Sequence, residues 1–298
     1  MMTLAKNTVT VALAGGLGNQ LFQAAAGLAL ARRTEANLQF DLAFFATKKN
    51  QAYQLASLSH GAGLVTHGRL QRPNAARKLF AKLHGSTPAA SVPGYSGMVY
   101  EQPGFDFDPA FERLEPPCHL TGFFQSERYF AAHSGLVRQL FNPGLAAKRT
   151  AGPLIVRADT RNSVSVHVRR GDYVHDPRTR AVHGVLDADF YQQAIERIRA
   201  GIADPDFLIF SDDIAAARAL LGEGQNMIYV EGGSALDDLY LMSRCQHHVI
   251  ANSSFSWWGA YFGVRDGGLT IAPRQWFTDE KLRKLSIADL FPKAWIVL

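Results

Sequence analysis

The chain has 298 residues, of which 47% are apolar and 19% are charged, and its formal net charge is +5. The length suggests two domains of the usual size, roughly 100 to 200 residues, or one large domain, and the composition excludes a disordered or collagen-like chain. Cys118 and Cys245 lack the spacing of a zinc site or a disulfide framework. We expect both to be small buried hydrophobic residues of a protein in a reducing compartment.

The sequence shows no membrane-spanning or secretory segment. Its first apolar run, at 9–14, is too short for a signal peptide and stops at a pair of glycines. No run approaches the roughly 20 apolar residues needed to span a bilayer. We therefore expect a cytoplasmic protein without a nucleic-acid partner. The basic stretch at 69–82 would allow weak peripheral contact with a membrane, although a solvated helix face explains such a pattern more often.

The first half of the chain begins with a predicted βαβ unit, formed by a strand at 8–14, a helix at 19–33 and a strand at 38–42. The sequence Gly15-Gly-Leu-Gly18 joins the first strand to the helix. It lacks the third glycine of a dinucleotide-binding motif and the GK[ST] of a P-loop, which disfavours an NAD enzyme and an NTPase. The segment 47–118 predicts no topology, and a short strand from 119 and a helix at 136–141 follow it.

The second half alternates regularly, after turn-forming residues at 142–153 that mark the predicted domain boundary. Strands are expected at 164–168, 207–210, 227–230, 247–251 and 269–272, and helices at 190–200, 214–221, 236–245 and 256–263. This alternation predicts a parallel sheet with right-handed crossovers. We predict an α/β protein with two Rossmann-like domains, 1–150 and 151–298, facing one another across a cleft.

Polar residues follow three of the predicted strands, at the ends where parallel sheets bind their ligands. They are Arg169 and Arg170, after a strand that itself contains His167, then Ser211, Asp212 and Asp213, then Asn252, Ser253, Ser254 and Ser256. Guanidinium forks match phosphate oxygens and helix N-termini attract anions, so a pyrophosphate is the expected partner. Taken alone, the arginine pair is explained better by a salt bridge to a carboxylate such as Asp172, and single Ser or Asp residues by helix capping.

These segments together resemble the alpha-1,2-fucosyltransferases of bacteria and animals, glycosyltransferase family 11. The resemblance rests on Gly15-Gly-Leu-Gly-Asn-Gln-Leu-Phe-Gln23, His167-Val-Arg-Arg-Gly-Asp-Tyr173, Phe210-Ser-Asp-Asp213, Asp238-Leu-Tyr-Leu-Met-Ser243 and Asn252-Ser-Ser-Phe-Ser-Trp-Trp-Gly-Ala260. It spans nearly the whole chain and leaves out 47–118. It implies a GT-B fold, GDP-fucose as the donor, inversion at the anomeric carbon, and no required metal or other cofactor.

The resemblance also implies the acceptor and the site residues. The acceptor would be the 2-hydroxyl of a terminal galactoside in a surface glycan or oligosaccharide. Arg169 should hold the β-phosphate, His167 and Asp238 should lie against the guanosine, and 253–256 should line the phosphates. The residues expected to bind the donor are Gly16, Gly18, Asn19, His167, Arg169, Arg170, Asp212, Asp213, Asp238, Asn252, Ser253, Ser254, Phe255 and Ser256. The first domain would carry the acceptor side and the second would bind GDP-fucose.

Catalysis is expected from Arg169, Asp172 and His167. Departure of GDP develops negative charge, which cationic side chains and backbone dipoles can stabilise. The acceptor hydroxyl must also lose a proton, to Asp172, to Asp176 or His183, or to an oxygen of the leaving phosphate.

Three further questions stay open on the sequence. Trp257 and Trp258 could stack on sugar rings, although packing in the core is the commoner role. A nucleotide-sugar or glycan-binding module of the same fold without turnover is an alternative function, since fold does not determine function. A dinucleotide oxidoreductase is a weaker alternative because the glycine motif is incomplete.

Overall fold

The computed structural model describes residues 7–47, 51–58, 60–72, 90–148, 152–171, 177–224, 226–278 and 280–298. The chain forms two compact units. The first comprises Met1–Leu140 and Ile287–Leu290, and the second comprises Phe141–Ser286 and Phe291–Leu298. The change from one unit to the other therefore comes earlier than the predicted boundary at 150, and a short segment near the end of the chain packs with the first unit.

The first unit contains a five-stranded parallel sheet in the order β3-β2-β1-β5-β4. Its elements are β1 (Thr8–Ala12), α1 (Leu17–Arg33), β2 (Asn37–Asp41), β3 (Gly63–Val65), β4 (Met98–Glu101), β5 (Cys118–Thr121) and α2 (Ser134–Leu140). The predicted βαβ unit is confirmed, because β1 pairs in parallel with β2. The segment without a predicted topology supplies both edge strands, β3 and β4.

Helix α1 packs unusually close to strand β1. The strand reads TVTVA, so Val9 and Val11 share one face of the sheet, and both are fully buried. A Cβ atom placed on Gly27 of α1 would lie 2.2 Å from Cγ2 of Val11 and 3.1 Å from Cδ1 of Leu38. The absence of a side chain at Gly27 therefore sets the distance between the helix and the sheet.

The second unit contains a six-stranded parallel sheet in the order β11-β10-β9-β6-β7-β8. Its strands are β6 (Ser163–Val168), β7 (Asp206–Ser211), β8 (Met227–Tyr229), β9 (His247–Val249), β10 (Thr270–Ala272) and β11 (Ile296–Val297). Its helices are α3 (Pro153–Ala158), α4 (Pro177–His183), α5 (Ala188–Gly201), α6 (Ile214–Leu221), α7 (Ala235–Arg244), α8 (Ser254–Phe262) and α9 (Glu280–Arg283). All five predicted strands and all four predicted helices are present, whereas β11, α3, α4 and α9 were not predicted.

The core of the second unit lies on both faces of this sheet. Every residue of β6 is buried, as expected for an inner strand of a parallel sheet with helices on both sides. One face packs against α5 and the other against α7. Trp257 and Trp258 of α8 are fully buried, and the ring of Trp257 stacks on Tyr261 at 5.0 Å. Both tryptophans are therefore core residues, and neither ring is available to a sugar.

The predicted α/β class with two Rossmann-like parallel sheets is confirmed, and two such units are what the GT-B fold requires. Cys118 and Cys245 are buried and free, as predicted.

None of the helices among the described residues is long and apolar enough to cross a lipid bilayer. Most of the basic stretch expected to face solvent or a membrane, including Arg77, Lys78 and Lys82, lies outside the described residues.

The contact at Gly27 gives a stability prediction. We expect Gly27→Ala to lower the free energy of unfolding by about 1–3 kcal/mol, because the added methyl group overpacks the contact with Val11. The measurement is urea unfolding followed by circular dichroism.

The matched control is Gly201→Ala in α5, where an added Cβ meets no atom within 4 Å. Alanine there should be neutral or stabilising by up to about 1 kcal/mol. Equal unfolding curves for the two variants would contradict the close contact.

Candidate functional site

The candidate site of the second unit lies where β6, β7 and β9 end. The order of the sheet places β6 between β7 and β9, so the carboxyl ends of these three strands are adjacent. Val168, the last residue of β6, is in register with Ser211, the last residue of β7. This pairing brings the predicted Arg169 and Asp212 together, although they are far apart in the sequence.

Asp212 is the residue that organises this edge of the sheet. One carboxylate oxygen lies 3.1 Å from the guanidinium of Arg169, and the other accepts the backbone N–H of Arg170 at 2.8 Å. A Cβ atom on Gly171 would lie only 2.4 Å from the same carboxylate. Asp212 therefore orients both the side chain of Arg169 and the backbone that follows it. Asp172, the salt-bridge partner suggested by the sequence, lies outside the described residues.

The two arginines occupy different environments. The side chain of Arg169 is 29% exposed and is held by a carboxylate, so its charge remains accessible to an anion. Arg170 instead donates a hydrogen bond from its guanidinium to the carbonyl of Leu186, at 3.0 Å. Arg170 thus ties the end of β6 to the segment before α5, and its predicted contact with the donor stays a prediction.

His167 is buried within β6. Only 4% of its surface is exposed, and its Nδ1 finds no hydrogen-bond partner within the described part of the chain. Burial, with the nearby charge of Arg169, lowers the pKa of His167 to about 3, so the imidazole is neutral at physiological pH. Its ring lies 5.7 Å from that of Phe255. The deep burial favours a role in shaping the site over one in proton transfer.

The start of helix α8 brings the serine-rich segment to the same edge. Ser253 caps the helix by accepting the backbone N–H of Phe255, and Ser256 donates to the carbonyl of Ser253. Asn252 is buried and donates to the carbonyl of His183 at 2.8 Å. Ser254 and Phe255 are half-buried. The first turn of α8, with its N–H groups and dipole, is therefore the part of this segment best placed to meet an anion.

A cavity of about 490 Å³ opens in the second unit. It lies at the carboxyl ends of β7 and β8 and is lined by Ser211, Ile214, Ala215, Arg218, Val230, Glu231, Gly232, Gly233 and Asp238. Its volume is within the usual range for small-molecule sites, roughly 300–1,000 Å³. Asp238, predicted to contact a guanosine, is in its wall. Since Ser211 precedes Asp212, the cavity adjoins the pair formed by Asp212 and Arg169.

The remaining predicted residues of the second unit differ in their surroundings. Asp213 caps α6 by accepting the N–H of Ala216 at 2.9 Å, and its predicted contact with the donor stays a prediction. Asp176 lies outside the described residues. Three lining residues of the cavity, Glu231, Gly232 and Gly233, were not predicted, although a glycine pair one residue after a predicted strand was an available signal.

Gly16 lies in the loop between β1 and α1 of the first unit, and Gly18 and Asn19 lie in the first turn of α1. Gly15 has a φ of +79°, and a Cβ atom there would lie 2.6 Å from Nδ2 of Asn19. Gly16 faces open space. Gln20 is fully buried and donates to the carbonyls of Gly15 and Ala52, both at 2.9 Å. The polar start of α1 therefore holds this loop in place.

Known proteins similar to this chain are glycosyltransferases. A family model described as Glycosyl transferase family 11 matches residues 108–298. An alpha-1,2-colitosyltransferase of Escherichia coli is 31% identical over 299 residues, covering 97% of this chain and 98% of that protein. The O-antigen biosynthesis glycosyltransferase WbnK of Escherichia coli is 27% identical over 299 residues, covering 92% and 97%. Galactoside 2-alpha-L-fucosyltransferase SEC1 of Bos taurus is 37% identical over 112 residues, which cover 36% of this chain and 30% of that protein.

The buried histidines give a pH prediction. Burial lowers the pKa of both His167 and His248 to about 3, against 6.5 for an unperturbed histidine. Below about pH 6.5 the unfolded chain gains protons at these sites while the folded chain does not. The free energy of unfolding should therefore fall with decreasing pH, by about 1.4 kcal/mol per pH unit for each histidine.

Urea unfolding between about pH 7 and pH 5 measures this dependence. His167→Gln and His248→Gln should each reduce the slope by about one proton, and the double variant by about two. Variants with the wild-type slope would show that these histidines can be protonated in the folded protein.

Proposed function

We propose that this chain, which belongs to glycosyl transferase family 11, transfers L-fucose from GDP-fucose to the 2-hydroxyl of a terminal galactoside. The observation that carries the proposal is the position of the Arg169 guanidinium. It lies at the end of the central strand β6, is held by Asp212, and adjoins a cavity large enough for a nucleoside. A nucleoside diphosphate whose base enters the cavity would place its phosphates toward this guanidinium.

The cavity favours guanine over other bases. Glu231 and Asp238 are among its lining residues, with Arg218 paired to Glu231 at 3.4 Å, and carboxylates accept hydrogen bonds from N–H groups. Guanine carries two donor groups on one edge, at N1 and at the 2-amino position, whereas uracil and adenine lack this pair. We therefore assign the base of the donor to this cavity and its diphosphate to Arg169 and the first turn of α8.

The proposed reaction inverts the anomeric carbon. The acceptor oxygen forms a bond to C1 of fucose while the bond from C1 to the β-phosphate oxygen breaks, so that GDP leaves with the electron pair. Arg169 and the α8 dipole stabilise the charge that develops on GDP. The hydroxyl proton passes to a carboxylate such as Asp172 or Asp176, to His183, or to the departing phosphate. The reaction proposed here uses these groups for charge stabilisation and includes no step on a metal or another cofactor.

The colitosyltransferase supports a second candidate donor. That protein is similar over almost its whole length, while the bovine fucosyltransferase is similar over 112 residues only. Colitose is fucose without the 3-hydroxyl, so the same phosphate and base contacts would serve both donors. A pocket that hydrogen-bonds the 3-hydroxyl would prefer fucose strongly, because its polar group would be left unpaired with colitose.

The acceptor and the location of the protein are also part of the proposal. The relative WbnK is an O-antigen biosynthesis glycosyltransferase, which supports a bacterial surface glycan as the acceptor. We place the acceptor side in the first unit and the protein in the cytoplasm, with weak peripheral membrane contact as an option for the basic stretch at 69–82. A non-catalytic module that binds a nucleotide sugar or a glycan is the alternative that an activity assay must exclude.

Initial-rate assays with lactose as acceptor test the donor. We expect release of GDP and formation of fucosyl-lactose from GDP-fucose, at least about tenfold faster than transfer from UDP-galactose or GDP-mannose. GDP-colitose is assayed in parallel. EDTA should leave most of the activity intact, since cationic side chains carry the charge.

Each outcome of these assays has a clear meaning. Faster transfer from GDP-colitose would replace fucose by colitose as the donor sugar. Robust transfer from a UDP-sugar would overturn the assignment of the guanine site, and loss of activity in EDTA with rescue by Mn²⁺ would overturn the charge stabilisation proposed here. Binding of GDP-fucose without any product would favour the non-catalytic module.

Arg169→Lys tests the catalytic assignment. Lysine keeps the charge but loses the planar fork that Asp212 orients, so kcat should fall about 10²- to 10³-fold while the protein stays folded. The measurements are kcat, the affinity for GDP and the melting temperature.

Arg170→Lys is the matched control, because Arg170 binds the carbonyl of Leu186. It should lower the melting temperature and cost no more in rate than Arg169→Lys. A near-normal rate for Arg169→Lys would show that this guanidinium does not stabilise the transition state.

A further inference from the structure

A tight turn at the end of β5 exposes an aromatic ring. The turn consists of Gly122, Phe123 and Phe124, directly after β5 ends at Thr121. Phe123 is 42% exposed, whereas Phe124 is fully buried. Among the described residues, Phe123 is the only aromatic side chain in the set of exposed large apolar side chains.

The backbone of this turn is strained and firmly held. Phe124 has a φ of +52°, a backbone conformation that residues other than glycine rarely adopt. The side-chain oxygen of Gln102 accepts the backbone N–H groups of both Phe123 and Phe124, at 3.0 and 2.8 Å. A Cβ atom on Gly122 would lie 2.5 Å from Cβ of Gln102, so only glycine allows this approach. The ring of Phe124 packs against Tyr129, at 5.2 Å.

The turn is also tied to the glycine loop of the first unit. Gln23 of α1 donates to the carbonyl of Gly122 at 3.0 Å, and its oxygen accepts the N–H of Ala14 at 2.9 Å. Gln125 donates to Asn19 at 2.8 Å. Since β5 is next to β1, both loops lie at the carboxyl edge of the sheet, where open α/β sheets bind ligands. These hydrogen bonds therefore hold Phe123 at the edge of the sheet where such folds usually bind ligands.

We propose that Phe123 binds the acceptor by stacking its ring on the terminal galactose. Galactose has an axial 4-hydroxyl, so its C3, C4 and C5 hydrogens form one apolar face, and polarised C–H groups favour the negative face of an aromatic ring. The equatorial 2-hydroxyl stays at the edge of the sugar, free to react. The proposal rests on the proposed function, which it extends by naming a residue of the acceptor site.

The test compares Phe123→Ala, Phe123→Leu and Phe123→Tyr at saturating GDP-fucose with lactose varied. Loss of the ring should raise the KM for lactose about tenfold in the alanine and leucine variants, a change equal to about 1.4 kcal/mol. The tyrosine variant keeps the ring and should stay within about twofold of the wild type. In all three, kcat and the affinity for GDP should change less than about threefold, because the donor site is intact.

The matched control is Met98→Ala. Met98 is 46% exposed and begins β4, at the amino end of a strand of the same sheet. Loss of the Met98 side chain should leave the KM for lactose unchanged. This control separates the effect of ring stacking from that of a general loss of exposed apolar surface. Comparison of the leucine and tyrosine variants keeps the test valid if Phe123→Ala folds poorly.

The outcomes separate this proposal from the proposed function. A wild-type KM in the leucine variant of an active enzyme would overturn the stacking and leave fucosyl transfer standing. If the wild-type protein transfers no sugar, the proposed function fails, and saturation-transfer NMR with methyl β-galactoside on the GDP-bound protein still decides the contact. Signals from the galactose C3–C5 hydrogens that vanish in Phe123→Leu and persist in Phe123→Tyr support it, and equal signals in both overturn it.

Discussion

The candidate site depends on one carboxylate that bridges two neighbouring strands. Asp212 follows β7, yet its contacts are with Arg169 and with the backbone of Arg170, both of which follow β6. The fully buried strand β6 and its parallel pairing with β7 fix where these residues meet. A guanidinium held by one carboxylate loses little conformational freedom when it binds an anion, because its fork is already oriented. Gly171 keeps the space that this carboxylate needs.

In the first unit, neutral side chains hold the loops at the edge of the sheet. Helix α1 begins with polar residues that are buried, and they bind the loops around them instead of water. Gln20 holds Gly15 and Ala52, and Gln23 holds Ala14 and Gly122. Buried amide groups are costly unless their donors and acceptors are paired, so these bonds make the loop conformations specific. The two loops at this edge of the sheet are thereby joined through a single helix.

Residues of one motif have separate tasks in this structure. In the segment that begins at His167, the histidine is buried and neutral, Arg169 stays accessible, and Arg170 anchors the segment before α5. The serine-rich segment divides in the same way, since Asn252 anchors the loop at His183 while the first turn of α8 remains at the edge of the sheet. Shared membership in a motif therefore does not imply direct contact with a ligand.

Much of the fold could be predicted from the sequence, because its elements follow local patterns. The apolar runs of β6 and β7, the alternation of strands and helices and the polar residues after each strand all lie within short segments. The same local signals led to the expected arginines and to the serine-rich helix start. They failed in 47–118, where β3 and β4 are short edge strands whose side chains are exposed or only partly buried, so that no burial pattern marks them.

Only the tertiary structure decided which of these residues meet. Asp172, the partner suggested by nearness in the chain, lies outside the described residues, and the register of β6 and β7 adds a contact between Arg169 and Asp212. Packing likewise buried both tryptophans of α8 and left Phe123 exposed, although an aromatic residue has the same apolar character wherever it occurs. Sequence patterns determine which segments form strands and helices, because those preferences are local. Pair contacts, burial and the shape of the cavity depend on residues far apart in the chain, and therefore follow from the folded structure alone.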